Sequence, residues 1–187
     1  MKRCQWVTAD PIYVEYHDQE WGVAVHDDRR LFEMINLEGA QAGLSWITIL
    51  KKRKQYRLSF DSFDPLKIIH YNDSKIQELM ENAGIIRNQR KIAAVIENAK
   101  AYLQILEDYG SFDSYLWRFV DGKPLINHWT THEQVPVTTP LSEALSKDLK
   151  KHGFKFVGGT ICYSFMQAVG MVMDHTVDCF RYNELLP

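Results

Sequence analysis

An all-α fold is predicted for this chain of 187 residues, and two observations predict it. Apolar residues recur with the 3.6-residue period of helices far more often than with the alternation of strands. Capping side chains and glycines stand at the ends of those periodic runs, where helices start and stop.

Taken in order, Asp27 or Asp28 caps a helix that turns Leu31, Phe32, Ile35 and Leu37 inward. Ser45 is placed to cap the next, which carries Trp46, Ile49, Leu50 and Tyr56. A helix over Ser74–Ala83 buries Ile76, Leu79 and Met80; Ser74 and Gln77 have capping-box spacing, and Gly84 is placed to end it. The clearest helix runs from about Asn88 to Leu106, with Ile92, Val95, Ile96, Ala99, Leu103 and Leu106 on one stripe. Leu141–Lys151 follows, with Leu141, Ala144, Leu145 and Leu149 inward and Gly153 as its stop, and then an apolar run from Thr160 to Val172. Residues 121–140 differ: Gly122, three prolines and several threonines read as an ordered loop or short extended excursion. No repeat, low-complexity tract or linker interrupts the chain, so a single domain over 1–187 is expected.

With 45% apolar and 25% charged residues, the composition is that of an ordinary globular protein. No apolar run approaches the ~20 residues of a membrane span, and no membrane partner is expected. The start, Met-Lys-Arg-Cys-Gln-Trp, lacks the apolar stretch of a secretory signal, so a cytoplasmic location is the expectation. A net charge of −2 neither advertises nor excludes nucleic acid, which would have to meet a local basic patch. The three cysteines cannot all pair, and a cytoplasmic chain rarely keeps disulfides.

Cys4 and His17 near one end, and His175 and Cys179 near the other, are candidate metal ligands. On a helix, His175 and Cys179 would share one face. Two thiolates and two imidazoles form the closed tetrahedral shell of structural zinc, with no position left for water. Buried thiols and unrelated histidines are the alternative. Cys162, beside Ile161 and Phe165, reads as core.

His-Gly-Phe-Lys-Phe-Val-Gly-Gly-Thr at 152–160 separates two predicted helices, giving a helix-hairpin-helix over about 141–172. Gly158 and Gly159 would let the backbone turn and approach a ligand. The next helix would offer free N–H groups to a phosphate, with Lys147, Lys150, Lys151 and Lys155 alongside. A plain turn with a solvated basic face is the alternative. The cluster Lys51, Lys52, Arg53 and Lys54 reads as a solvated helix face.

The N-terminal third is dense in aromatics: Trp6, Tyr13, Tyr16, Trp21 and Trp46. Glu38 stands among them with apolar or small neighbours, which predicts partial burial. Aromatic faces stack on a nucleobase and attract a cation, and a carboxylate accepts from an exocyclic amine. The set describes a pocket for a flat, cationic, amine-bearing ring. The alternative is that the aromatics are core and Glu38 ends a helix in solvent.

These strings closely resemble the bacterial 3-methyladenine DNA glycosylase I family of the helix-hairpin-helix glycosylase superfamily. The matching segments include Arg-Cys-Gln-Trp at 3–6, Tyr-His-Asp-Gln-Glu-Trp-Gly-Val at 16–23, Gln-Ala-Gly-Leu-Ser-Trp-Ile-Thr at 41–48, Gly-Phe-Lys-Phe-Val-Gly at 153–158 and Thr-Ile-Cys-Tyr-Ser-Phe-Met-Gln-Ala at 160–168. The resemblance spans nearly the whole chain and is weakest at 105–117 and 121–140. It implies base-excision repair of double-stranded alkylated DNA: the base is flipped out and hydrolysed from its sugar, leaving an abasic site and free 3-methyladenine. It implies that Cys4, His17, His175 and Cys179 bind zinc, that Glu38 meets the amino edge of the base, and that Tyr16 hydrogen-bonds or packs beside it. Trp46 and Tyr13 would sandwich the ring, with Trp6 and Trp21 lining the pocket. Gly43 and Leu44 would fill the gap in the duplex, and the hairpin, through Lys155, Gly158, Gly159 and Thr160, would grip phosphates. Asp174 lies near the catalytic aspartate of other superfamily members but is not expected to serve as one. No lysine is placed for a Schiff base, so a monofunctional enzyme acting as a monomer is expected. Other classes would be a DNA-binding module using only the hairpin, or an enzyme or sensor for free purines.

Overall fold

The structure is a computed structural model, described here for residues 1–186. It is mainly helical, as predicted. The helices are α1 Pro11–Gln19, α2 Asp28–Gln41, α3 Trp46–Ser59, α4 Pro65–Ile68, α5 Asp73–Glu81, α6 Gln89–Tyr109, α7 Phe112–Trp117, α8 Pro140–Lys151, α9 Gly159–Ala168 and α10 Phe180–Glu184. Among the described residues no helix is long and apolar enough to cross a membrane.

Helix α2 is the axis of the molecule. Every residue from Leu31 to Ala40 is buried, because α3, α6, α7 and α9 all pack against it. Its start is the predicted one: the Asp27 carboxylate accepts from the Arg30 N–H at 2.8 Å. A helix enclosed on all sides must find partners for its polar side chains. Glu33 meets Arg53 at 2.8 Å and Arg57 at 2.8 Å. Asn36 accepts from the Asn98 amide at 2.9 Å and donates to the Phe32 carbonyl at 2.8 Å. The 51–54 cluster is therefore not wholly a solvated face, since Arg53 is buried and also binds Glu20 at 2.7 Å.

Helix α6 begins where predicted, with the Asn88 side chain accepting from the Lys91 N–H at 3.1 Å. Helix α5 does not: Asn72, not Ser74, is its cap, accepting from the Lys75 N–H at 3.0 Å. It stops at Glu81, and the Asn82 side chain accepts from Gly84 N–H at 2.8 Å, so Gly84 belongs to the following turn.

The 121–140 excursion contains the two-residue strand β1, Leu125–Ile126, which pairs in parallel with β2, Val172–Met173. That pairing fastens the excursion beside the C-terminal segment. Cys162 is fully buried in α9, as expected.

Candidate active site

Helix α1 contributes to two clusters from one short surface. Tyr13 and Tyr16, three apart, line a cavity of about 300 Å³, whereas buried His17 belongs to a neighbouring Cys/His cluster. Asp10 opens the helix by accepting from Ile12 N–H at 3.2 Å, with Pro11 in the first turn. The other aromatic walls are Trp6, Trp21 and Trp46. Trp6 meets Tyr13 and Trp21 edge-on, both at 5.0 Å between ring centres, and Tyr16 lies 5.6 Å from Trp46.

Glu38 lies in this cavity wall. It is 2% exposed, and its Oε2 has no hydrogen-bond partner among the described residues. Glu33 and Asn36, on the same buried helix, are both partnered, so Glu38 stands apart. Burial pushes its carboxyl up to about 8. The Tyr16 hydroxyl is also raised, by burial first and then by Glu38. Two further buried donors, the indole N–H groups of Trp6 and Trp46, lack partners among the described residues. An aromatic cavity with an unsatisfied carboxylate oxygen and two unsatisfied donors in its walls is built for a ligand rather than for packing.

The four candidate metal ligands are buried, and their ligand atoms all lie within 4.8 Å of one another. Cys179 Sγ is 3.4 Å from His17 Nε2 and 3.5 Å from His175 Nδ1, which itself lies 3.4 Å from Cys4 Sγ. Each imidazole is oriented from behind: His17 Nδ1 by Asp18 at 2.8 Å and His175 Nε2 by the Trp21 carbonyl at 3.0 Å. Such outer partners fix tautomer and ring angle in metal sites. One expectation fails here. His175 and Cys179 do not share a helix face; they lie in the irregular segment between β2 and α10. A turn, with Cys179 N–H donating to the Thr176 carbonyl at 2.8 Å, folds them together instead.

Gly43 and Leu44 form the exposed tip between α2 and α3, with Gly43 in the left-handed region at φ +78°. Ser45 begins α3 in an extended conformation but does not cap it; its hydroxyl meets that of Thr48 at 2.7 Å.

Helices α8 and α9 are joined by residues 152–158 and pack against each other. The turning expected of Gly158 and Gly159 falls elsewhere, on Gly153 at φ +102° and Phe156 at φ +54°. Gly158 precedes the first turn of α9, and space around it is open. Gly159 is buried, and a Cβ there would come within 1.9 Å of the Glu143 carboxylate. Its smallness accommodates Glu143. Lys155 and Thr160 are exposed, as are Lys147, Lys150 and Lys151.

Residues 6–182 match the family model described as methyladenine glycosylase. The chain belongs to that family. It is 54% identical over 182 residues to DNA-3-methyladenine glycosylase 1 of Escherichia coli (strain K12), covering 97% of each chain. A crystal structure of 3-methyladenine DNA glycosylase I superposes with a TM-score of 0.94 at 54% identity, covering 96% of this chain and 98% of the other. At 38% identity and a TM-score of 0.93, with 96% of each chain covered, a variant of 3-methyladenine DNA glycosylase I is similar too; that structure is a complex with 3-methyladenine.

In this methyladenine glycosylase family member, Asp174 is tied into a network of hydrogen bonds. It is buried at the cavity wall, and all its acceptor capacity is directed inward. Asn127 and Trp129 each donate to Oδ1 at 2.7 Å, and Tyr163 and Gln167 donate to Oδ2 at 2.6 and 2.8 Å. Two of these donors come from the 121–140 excursion, so Asp174 fastens that segment across the cavity. His132 and Val135 then reach the rim. Neither was read as a site residue, nor were Gln41, Ser164 and Gln167, which also line the cavity. Only tertiary folding brings them there.

Proposed function

We infer that this chain is a DNA-3-methyladenine glycosylase of base-excision repair, a hydrolase of N-glycosyl bonds, and that the cavity beneath Glu38 receives the base. The observation that carries the reading is the partnerless carboxylate in an aromatic cavity. Methylation at N3 makes adenine a cation and already a good leaving group, so strong acid catalysis is not required. Extruding a base from duplex DNA costs a few kcal/mol. Aromatic faces offset part of that cost by stacking and by attraction for the cation.

Glu38 acts as the selector. In the empty cavity its proton is retained, because the burial cost of the anion is unrelieved. A cationic ring beside it reverses that preference and favours the carboxylate, so charge on the base is read directly. Neutral adenine supplies no such gain. Tyr13 and Trp46 would hold the ring, Tyr16 would sit at its edge, and Trp6 and Trp21 would complete the wall. Leu44, presented by Gly43, would occupy the vacated place in the duplex. The α8–α9 unit reads as the helix-hairpin-helix, with Gly158 and Thr160 at the α9 N-terminus meeting a phosphate and Lys155 beside them. Among the described residues no lysine lines the cavity, which supports hydrolysis without strand cleavage.

Cys4, His17, His175 and Cys179 would hold zinc. The donor set and the oriented imidazoles fit a closed structural site. Bound there, the ion would supply cross-linking of the two ends of the chain and no chemistry on the base.

The deciding experiment incubates the protein with alkylated DNA and identifies the released bases. Release of 3-methyladenine, with the strand left intact, is expected. A Glu38→Gln variant that remains folded yet releases it at the normal rate would remove the proposed role of Glu38.

A further inference from the structure

The turn carrying Gly43 and Leu44 is closed by one short main-chain bond of its own, Leu44 N–H donating to the Gln41 carbonyl at 2.6 Å. Helix α2 ends at Gln41, Ala42 is non-helical, and Ser45 makes no capping bond to α3. A Cβ at Gly43 would have nothing within 4 Å, and Leu44 is 41% exposed at the tip. The side chain that braces the turn comes from a third helix. The Lys91 ammonium donates to the Ala40 carbonyl at 2.8 Å and to the Ala42 carbonyl at 2.7 Å. These are carbonyls at the C-terminus of α2, where the helix dipole favours a cation. Lys91 is itself anchored, its backbone N–H being the group that the Asn88 cap accepts from.

The same ammonium thus ties down a carbonyl two residues beyond Glu38 and another two residues before Leu44. We propose that Lys91 is a positioning residue for base extrusion, holding the α2–α3 turn so that Leu44 enters the duplex in register with the base cavity. The proposal rests on the reading of Leu44 as the residue that fills the vacated place. Lys91 touches neither base nor sugar in this scheme; it acts through Ala40 and Ala42.

The test compares Lys91→Met, which keeps the stem and removes the charge, with Lys91→Arg, Leu44→Ala and the Lys91→Met/Leu44→Ala double variant. Three readouts are needed: single-turnover release of 3-methyladenine from duplex DNA, release from an alkylated single strand, and binding of free 3-methyladenine. Extrusion limits only the first. Lys91→Met is expected to lose about tenfold on the duplex, the order of effect a small misplacement produces. Single-strand release and free-base affinity should stay near wild type. Lys91→Arg should recover most of the duplex rate, and the double variant should be no slower than the slower single variant, because both act on one step. A slow Leu44→Ala beside a full-rate Lys91→Met would overturn the positioning role and leave the reading of Leu44 intact. A full-rate Leu44→Ala would sink the reading of Leu44 and the proposal with it. Equal losses by Lys91→Met on all three readouts would show that Lys91 only supports the fold, and would also overturn it.

Discussion

At the scale of the residue, the role proposed for Glu38 would tie stability to function through one proton. Its carboxyl is raised to about 8 by burial, whereas in the unfolded chain it is an ordinary glutamate near ~4.3. Between those values the folded state holds a proton that the unfolded state has lost. Stability from this group therefore falls as pH rises through that window, and is lowest above about 8. Glu38→Gln cannot ionise, so it should gain melting temperature relative to wild type as pH goes from about 5 to about 8. Parallel melting curves across that range for the two proteins would contradict the buried, partnerless state of the side chain. Activity should run the other way. If the ionised form receives the cationic base, wild-type kcat/KM rises with pH towards the free-enzyme value of about 8. That rising limb should be missing from the residual activity of Glu38→Gln. The sequence showed Glu38 among small and aromatic neighbours, and so suggested a buried acid. It could not show that Glu33 and Asn36, on the same helix, would find partners while Glu38 would not. That contrast depends on Arg53, Arg57 and Asn98, which arrive from other helices.

Among the elements, what was legible is what local chemistry decides. The starts of α2 at Asp27 and α6 at Asn88 are side-chain caps written in adjacent residues, and the apolar stripe of α6 is unambiguous. Helix α1 was missed, because its inward residues are Tyr13, Tyr16 and His17, which line a site and give no apolar period. The strands β1 and β2 are two residues each, too short to carry alternation, and exist only because the chain brings them together. The His175–Cys179 spacing was read as one helical turn, but Gly170 has already ended the α9 region. Gly170 sits at φ +72°, and a Cβ there would lie 2.5 Å from the backbone of Val23 and of Ala24. Backbone cannot swing aside as a side chain can. Gly170→Ala should therefore cost upwards of about 2 kcal/mol, combining left-handed strain with the clash. Urea denaturation should show a lowered midpoint with an unchanged slope. A wild-type midpoint would mean that this junction gives way easily. Gly159→Ala is the useful contrast, because there the obstacle is the end of the exposed Glu143 side chain, which can move away.

Across the whole molecule, the Cys/His cluster joins residues that begin the chain to residues that end it. Cys4 and His17 meet His175 and Cys179, so a metal there would close a loop of most of the chain. The same first turns supply the aromatic cavity: Trp6 lies two residues after Cys4, Tyr16 is adjacent to His17, and Trp21 packs 4.6 Å from His175. A metal bound there would thereby couple stability to the proposed base site. A ligand that binds only the folded state stabilises it in proportion to the logarithm of its excess over Kd. Stripping metal with a strong chelator at neutral pH should lower the melting temperature by several degrees. It should also reduce release of 3-methyladenine, because α1 and Trp6 lose their anchor. Cys179→Ser, which weakens the set by one thiolate, should reproduce both effects, and added zinc should restore the chelated wild type more fully than the variant. A purified protein with no bound metal, unchanged in melting and in rate by chelator and by zinc, would show that four buried side chains hold these ends together unaided. The cluster would then be a packed core and not a metal centre.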